Sequence, residues 1–368
     1  MKDRVRRIFD RLDDSVDALL LANAVDPHLD QSFFYLFDVP SGLFEGSVAI
    51  AHRDGSIDLF TSPLEAQSAE EAAKSDRSVT VRKVERDATP AALGEVLGGA
   101  KAIGLNFAEL THGWFARLDK LRPETKWIDA SEAIRKVRAV KDAGEIERLR
   151  KAAEIGSKVG VEIPSLLRKG MTELALAAAM EYRMNRLGAS GRSFATIVAF
   201  GAHGAEPHFQ PGATKLEPGV SIVCDYGAFY RRYASDITRS FRFGAADAEM
   251  RHVHETVERA QQAALAAIRP GVPAKEVHLA AERVIDGSPF KGRLIHGVGH
   301  SIGLAVHDGW GYGPKVEDPV EQGMVFTVEP GIYLPGKGGV RIEDDIVVTA
   351  TGYEFLSTAP RGYVEVAS

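Results

Sequence analysis

The chain has 368 residues, enough for two domains, with one cysteine, Cys224, which excludes an intrachain disulfide framework and fits a reducing compartment. Hydrophobic residues make up 45% and charged residues 26%, the balance of an ordinary globular protein. The 45 basic against 51 acidic side chains leave a net charge of −6, too small an excess to suggest nucleic acid or an anionic membrane as partner.

The first fourteen residues are charged and amphipathic, without the apolar stretch of a secretory signal. No apolar run approaches the ~20 residues of a membrane helix, so the cytoplasm is the expected location. The pattern then predicts a helix over 4–12, a buried strand over 18–22 and an aromatic, loop-like segment over 33–44. Strands over 48–51 and 57–60 flank an Asp54-Gly55 turn. A helix over 63–74, a strand over 79–84, a helix from Thr89 to 97 and strands over 102–105 and 127–129 complete a small α/β domain with a mixed sheet, residues 1–134. It shows no chemical constellation; His28 and His112 read as turn or surface histidines.

Residues 135–141 read as a basic connector, with the domain boundary near Arg135. Asp142 caps a long helix over 145–163 that Pro164 ends. A second helix runs over 172–187, stopped by Gly188, and two more over 247–268 and 274–285. His252 and His254 on the third helix read as surface.

Residues 220–242 read as two paired strands, with Asp225 closing the first, Asp236 inside the second and Gly227 between. One aspartate at a strand end is usually a turn former. Two that face each other repel unless they share a proton or a cation. The chain repeats this stretch. Residues 217–227 align without gaps on 321–331, placing Asp225 on Glu329. Asp236 has its counterpart in Glu343, and Gly170-Met171-Thr172-Glu173 is echoed by Gly271-Val272-Pro273. Two copies of one helix-helix-hairpin unit about a pseudo-dyad would bring four carboxylates together, a site for hard or borderline divalent cations.

His300, within His296-Gly297-Val298-Gly299-His300-Ser301-Ile302-Gly303, adds an imidazole, and the glycines allow close backbone approach. Only one of the two histidines need be a ligand; His296 serves equally as a packed residue bonded to the backbone. Asp225, Asp236, His300, Glu329 and Glu343 are thus the candidate ligands. They suit two borderline cations such as Mn²⁺ or Co²⁺, with Zn²⁺ a further option. Two metals ~3.5–4 Å apart can bind a bridging hydroxide and polarise a carbonyl, which hydrolyses amides without a covalent intermediate. His208, in Glu206-Pro207-His208-Phe209, and His307, in Val306-His307-Asp308, are placed to bond a substrate carbonyl or tetrahedral intermediate, though a loop histidine is often incidental. Arg341 would hold a ligand carboxylate or substrate, or form a structural ion pair. Cys224 reads as a buried small hydrophobe. No serine stands in a G-x-S-x-G elbow, and Gly336-Lys337-Gly338-Gly339 reads as a hairpin turn, since it lacks P-loop spacing.

On Pro207-His208, Asp225-Tyr226-Gly227, Ser235-Asp236-Ile237-Thr238-Arg239, the glycine-rich 296–303, Val306-His307, Val328-Glu329-Pro330-Gly331 and Arg341-Ile342-Glu343-Asp344-Asp345, the chain resembles the pita-bread metallopeptidases. These comprise Xaa-Pro aminopeptidases, Xaa-Pro dipeptidases (prolidases), methionine aminopeptidases and creatinase. The resemblance spans nearly the whole chain. It implies an α+β protein, with a pita-bread catalytic domain of duplicated helix-hairpin units over 135–368 and a smaller creatinase-like α/β domain over 1–134. It further implies a dinuclear, metal-dependent exopeptidase that hydrolyses the N-terminal Xaa-Pro bond through a metal-bridging hydroxide. In that scheme Asp225 binds one metal, Asp236 and Glu343 bridge, and His300 and Glu329 complete the other. Glu329 also shuttles the proton, while His208 and His307 hold the substrate. Proline-containing peptides are the implied substrates and a homodimer the implied assembly.

Alternatives are a prolidase, a non-peptide amide hydrolase or lyase on the same scaffold, and, most remotely, a non-catalytic binding protein. Creatinase lacks the full ligand set, so five intact candidates point away from it. His300-Ser301-Ile302-Gly303 departs slightly from the frequent His-Gly-Ile-Gly. His307-Asp308 replaces the frequent His-Glu and is closer to the aminopeptidase P branch. Prolidases often carry an arginine soon after that pair to grip a dipeptide's carboxylate. Gly309-Trp310-Gly311-Tyr312-Gly313 has none, which leans toward longer peptides unless Arg192, Arg231 or Arg232 substitutes.

Overall fold

The run Ala18-Leu19-Leu20-Leu21-Ala22 is too short for a buried helix and forms strand β1 (Ala18–Ala22), buried throughout. The structure is a computed structural model that describes residues 1–74, 76–85, 89–245 and 247–367. It divides into two compact units, Met1–Arg138 and Ala139–Ser368. In the first, β1 joins β2 (Val48–His52), β3 (Ile57–Thr61), β4 (Val79–Lys83), β5 (Ala102–Leu105) and β6 (Lys126–Asp129) in a sheet of order β4-β3-β2-β1-β5-β6. The pairs β1–β2 and β2–β3 are antiparallel and the others parallel, so the sheet is mixed as expected. Helices α1 (Lys2–Phe9), α2 (Gln31–Leu36), α3 (Ala66–Ala73), α4 (Thr89–Leu97), α5 (His112–Leu121) and α6 (Ser131–Ala139) accompany it. Leu93, Leu97, Trp114 and Leu118 from α4 and α5 pack on Leu20, Ile50 and Ile103.

Two expectations for this unit need correction. The aromatic segment begins inside α2, whose N-cap Asp30 accepts from the Ser32 N–H, and is loop-like only from Phe37 on. Phe33, Phe34, Phe37 and Phe44 then form one buried cluster with ring centroids 5.2–6.4 Å apart, an aromatic core that hides the helical period. His112 is exposed, as expected of a surface histidine, and opens α5 behind the N-cap Thr111. Residues 135–139 of the expected basic connector belong to α6, where Ile134, Val137 and Arg138 are buried and Glu132 and Lys136 are exposed.

In the second unit α7 (Ala143–Leu166) starts at a capping box of Asp142 and Glu145. It runs on through Pro164, contrary to expectation, because a proline two residues from the end forfeits a single backbone bond. Helix α8 (Glu173–Arg186) is capped by Thr172; α9 (Ala248–Ala267) and α10 (Ala274–Asp286) follow later. Helix α9 carries a further correction. His254 is buried, because it falls on the apolar face with Met250, Val253, Val257 and Ala260, while the charged residues that flank it in sequence lie elsewhere on the helix.

The strands are β7 (Gly191–Arg192), β8 (Ile197–Phe200), β9 (Val220–Tyr226), β10 (Ala228–Tyr230), β11 (Tyr233–Ala234), β12 (Ile237–Phe243), β13 (Val325–Val328), β14 (Gly331–Leu334), β15 (Gly338–Arg341), β16 (Asp344–Val348), β17 (Tyr353–Phe355) and β18 (Val364–Val366). Strand β9 lies antiparallel to β12 and β13 to β16, each pair bracketing a short hairpin, β10–β11 and β14–β15. The duplication extends to single bonds. Gly170 donates to the Leu216 carbonyl and Gly271 to that of Val320, both at 2.8 Å. Each half has its own core, one built on α7, α8, β9 and β12, the other on α9, α10, β13 and β16.

Within the first half, Asp236 lies between β11 and β12 and not inside a strand. The tight turn falls at Arg231 and Arg232, both left-handed with φ of 45° and 71°. Gly227 serves another purpose: a Cβ there would stand 1.8 Å from the Ser235 carbonyl oxygen, so only glycine admits the crossing of the two segments. No helix among the described residues is long and apolar enough to cross a membrane.

Candidate metal centre

Each half delivers one carboxylate at the end of a strand and one at the entry of its partner. Asp225 stands near the end of β9, opposite Thr238 of β12, and Asp236 immediately precedes β12. Glu329 follows β13, and Glu343 lies between β15 and β16. His300 is bound to β13 through its N–H to Thr327 Oγ1 (3.0 Å) and the Thr327 N–H to its carbonyl (2.9 Å). Gly299 makes that approach feasible, since a Cβ there would lie 1.9 Å from the Thr327 carbonyl.

These side chains meet in a cleft of about 470 Å³, which His208, His307 and Arg341 also line. Ligand atoms of Asp236, His300 and Glu343 all fall within 4.8 Å of one another. His300 Nε2 is 3.5 Å from Asp236 Oδ2 and 3.6 Å from Glu329 Oε1. All eight residues singled out from the sequence therefore face one space. Arg192, Arg231 and Arg232, named as substitutes for a carboxylate-gripping arginine, are not among its lining residues.

The electrostatics are those of a site with too much negative charge. Burial, then the carboxylates of Glu343 and Asp225, push the Asp236 carboxyl well above the usual range. Burial, then Glu329 and Asp225, do the same to Glu343, and burial raises Glu329. Arg341 is the nearby positive charge, and it is committed. Its Nη2 donates to Asp225 Oδ2 (2.6 Å), its Nε to Thr238 Oγ1 (3.0 Å) and its Nη1 to Tyr333 Oη (2.9 Å). The Thr238 hydroxyl in turn donates a hydrogen bond to Glu343 Oε2 at 2.6 Å. Asp225 Oδ1 and Asp236 Oδ1 are buried without a hydrogen-bond partner among the described residues. Orphaned carboxylate oxygens are costly in a protein interior, and two of them beside a buried imidazole are the donor set that divalent cations satisfy. The residues present therefore fit a metal centre.

Three of the imidazoles are held neutral. Burial lowers His300 and His296. Burial, and then the imidazoles of His300 and His208, lower His307 to about 4. His296, left open between ligand and packed residue, lines the cleft as well. Its Nδ1 is 2.7 Å from the Gly297 carbonyl, which can only accept, so Nε2 receives the Tyr333 hydroxyl at 2.7 Å. Tyr333 escaped sequence reasoning, because no motif marks it; the signal was its period-two spacing from Gly331 along β14, while Thr238 stood in the Ser235–Arg239 motif without a role. Phe194, Ile197, Val306 and Tyr312 form apolar walls that nothing in the sequence announced.

Two duplicated halves closing on a carboxylate-lined cleft define a pita-bread hydrolase of the metal-dependent kind. Comparison with known proteins gives the family. The chain belongs to metallopeptidase family M24, whose profile matches residues 147–350, and its residues 2–140 match the creatinase/prolidase N-terminal domain. An uncharacterized peptidase of Staphylococcus saprophyticus is 39% identical over 232 residues, which is 62% of this chain and 65%, just under two thirds, of that relative. Among solved structures, an X-Pro aminopeptidase from Thermotoga maritima is similar with a TM-score of 0.89 at 33% identity, covering 99% of both chains. An Xaa-Pro dipeptidase from Bacillus anthracis also has a TM-score of 0.89, at 28% identity, covering 98% of this chain and 99% of its own.

Proposed function

We propose that the chain is a dinuclear metallo-exopeptidase that releases the residue preceding proline at the N-terminus of peptides. The observation that carries this reading is the buried carboxylate cluster with its two orphaned oxygens beside neutral imidazoles. Asp225, Asp236, His300, Glu329 and Glu343 would hold two divalent cations, Mn²⁺ or Co²⁺ first and Zn²⁺ second. When bound, the cations supply a Lewis acid and an activated water.

The remaining work belongs to side chains. Glu329, with Oε1 3.6 Å from His300 Nε2, takes the proton that the water loses and returns it to the leaving amide nitrogen. His307 is neutral at neutral pH, and with His208 it donates to the carbonyl oxygen as charge grows there. Arg341 fixes the Asp225 carboxylate at 2.6 Å and offsets one negative charge. The walls of Phe194, Ile197, Val306 and Tyr312 suit the apolar ring of proline and exclude water.

The solved relatives do not choose between aminopeptidase and dipeptidase, since one of each has the same TM-score. Two features favour longer peptides. Arg341 is already paired with Asp225, and the three other candidate arginines are absent from the cleft lining, so among the described residues no spare guanidinium there awaits a dipeptide's carboxylate. The deciding experiment compares Xaa-Pro with Xaa-Pro-Yaa after loading with Mn²⁺ or Co²⁺. Preferred cleavage of the tripeptide supports the proposal, preferred cleavage of the dipeptide makes it a prolidase, and cleavage of neither removes both. A cytoplasmic homodimer belongs to the same proposal and rests on the resemblance and the lone, buried Cys224.

A further inference from the structure

An acidic residue in the first turn of a helix ordinarily faces solvent and complements the helix dipole. Glu173, first residue of α8, does not. Its side chain is fully buried and turned to the loop that carries His208. Its Oε1 accepts from the Phe200 N–H and from His203 Nδ1, both at 2.8 Å, and its Oε2 from the Gly212 N–H at 3.0 Å. Phe200 ends β8 and Gly212 lies where the loop returns to α8, so a single carboxylate ties the loop at both ends and, through His203, in the middle. The His203 ring stacks on Phe209, next to His208, with centroids 4.2 Å apart. From the opposite side the loop is pressed on β15, where a Cβ on Gly339 would stand 2.1 Å from the Gly204 carbonyl. The Pro207 carbonyl accepts from Arg341 Nη2 at 3.4 Å.

The duplication supplies an internal control. Aligning Gly170 with Gly271 places Glu173 on Ala274. The backbone bonds correspond: Glu173 N–H reaches the Thr214 carbonyl at 3.2 Å and Ala274 N–H that of Asp318 at 2.9 Å. The second half thus builds the same helix entry around a methyl group. The fold does not require the carboxylate; the loop of the first half does.

We propose that Glu173 is a positioning residue, whose carboxylate fixes the loop over 200–212 so that His208 stands in the cleft. It acts on the reaction through His208, without touching the metal ligands. The inference rests on the proposed role of His208.

Glu173→Gln preserves volume but turns an amide donor toward N–H groups that need an acceptor. Hydrogen exchange in the intact protein should quicken about 10- to 100-fold at the loop amides, the range set by one lost hydrogen bond to a charged group, with metal content unchanged. Turnover of the metal-loaded enzyme should fall by up to about 100-fold through kcat more than KM, as for a small misplacement of a catalytic group. In a His208→Ala background Glu173→Gln should add no further loss. Should Glu173→Gln fail to fold, His203→Phe keeps the stack on Phe209, drops the middle tie, and should quicken exchange at the same amides. Unchanged loop exchange overturns the clamp. Losses that multiply in the double variant overturn the route through His208. A His208→Ala enzyme with normal turnover overturns the reading of the cleft beneath both.

Discussion

Replacing Asp236 by asparagine is expected to move stability in opposite directions with and without metal. In the metal-free protein Asp236 is buried, its Oδ1 has no partner among the described residues, and a ligand atom of Glu343 lies within 4.8 Å. Two full charges at that 4.8 Å separation repel by about 3.5 kcal/mol at an effective dielectric near 20. The fold escapes part of this by retaining a proton, as the raised Asp236 and Glu343 carboxyls indicate. A gain of roughly 1–3 kcal/mol is therefore expected for the chelated variant, the size of one relieved buried polar group. In a domain of about 150–250 residues this lifts Tm by roughly 2–12 °C. With Mn²⁺ present the order reverses, because the variant has lost an anionic ligand. Wild type at about 100 times its Kd gains about 2.7 kcal/mol from binding, and the variant forfeits most of that. Urea and thermal unfolding of both proteins, in chelator and in Mn²⁺ at one pH, measure the four stabilities. A chelated variant less stable than chelated wild type would show that Asp236 is a structural partner and not a ligand in waiting.

Arg239 donates to Asp344 Oδ1 (2.7 Å) and to the carbonyls of Glu343, Ala359 and Pro360 (2.5, 2.7 and 2.8 Å). Asp344 keeps Arg361 Nε at 2.6 Å, so Arg239→Met should cost about 1.5–3 kcal/mol in urea unfolding, the loss of charge-assisted bonds to one carboxylate oxygen and three buried carbonyls, and lysine should rescue little of it. His254 is lowered from 6.5 to about 4, by burial first and then by Arg239. Its neutral form is the folded one, so above pH 6.5 it carries no penalty, and stability should fall as pH drops from 6.5 toward 4 because the unfolded chain takes the proton first. The loss is on the order of 3 kcal/mol, and His254→Gln should flatten that limb of the stability profile. Gly227→Ala sets a methyl 1.8 Å from the Ser235 carbonyl between the two first-half carboxylates. It should destabilise by more than about 4 kcal/mol and abolish metal uptake, as read by calorimetry and elemental analysis.

Elements with a clean period were legible: β1, the β2–β3 hairpin with its Asp54-Gly55 turn, and α8 between Thr172 and Gly188. Segments where two signals overlap were not. In 33–44 the aromatic residues serve a core on several sides of a short helix, which erases the helical stripe. In 135–141 the basic residues hide the buried Val137 and Ala139, which continue the face of Ala133 and Ile134 in α6. His254 has the same cause, with charged sequence neighbours on a different face. The gathering of the carboxylates in one cleft was legible because the repeat places Asp225 on Glu329 and Asp236 beside Glu343, so a pairing of halves brings them together without any knowledge of the loops. What surrounds them was not. Glu173, Tyr333 and the bond from Thr238 to Glu343 depend on tertiary neighbours more than 25 residues away, and no local pattern records such a neighbour.

The account stands on two cations held between the halves. Anomalous diffraction from crystals of the Mn²⁺-loaded protein tests it most directly. Two peaks are expected, ~3.5–4 Å apart, each touched by carboxylates from both halves and one by His300. Manganese bound elsewhere, or none in a cleft whose Asp225 and Asp236 oxygens had found protein partners, would contradict it.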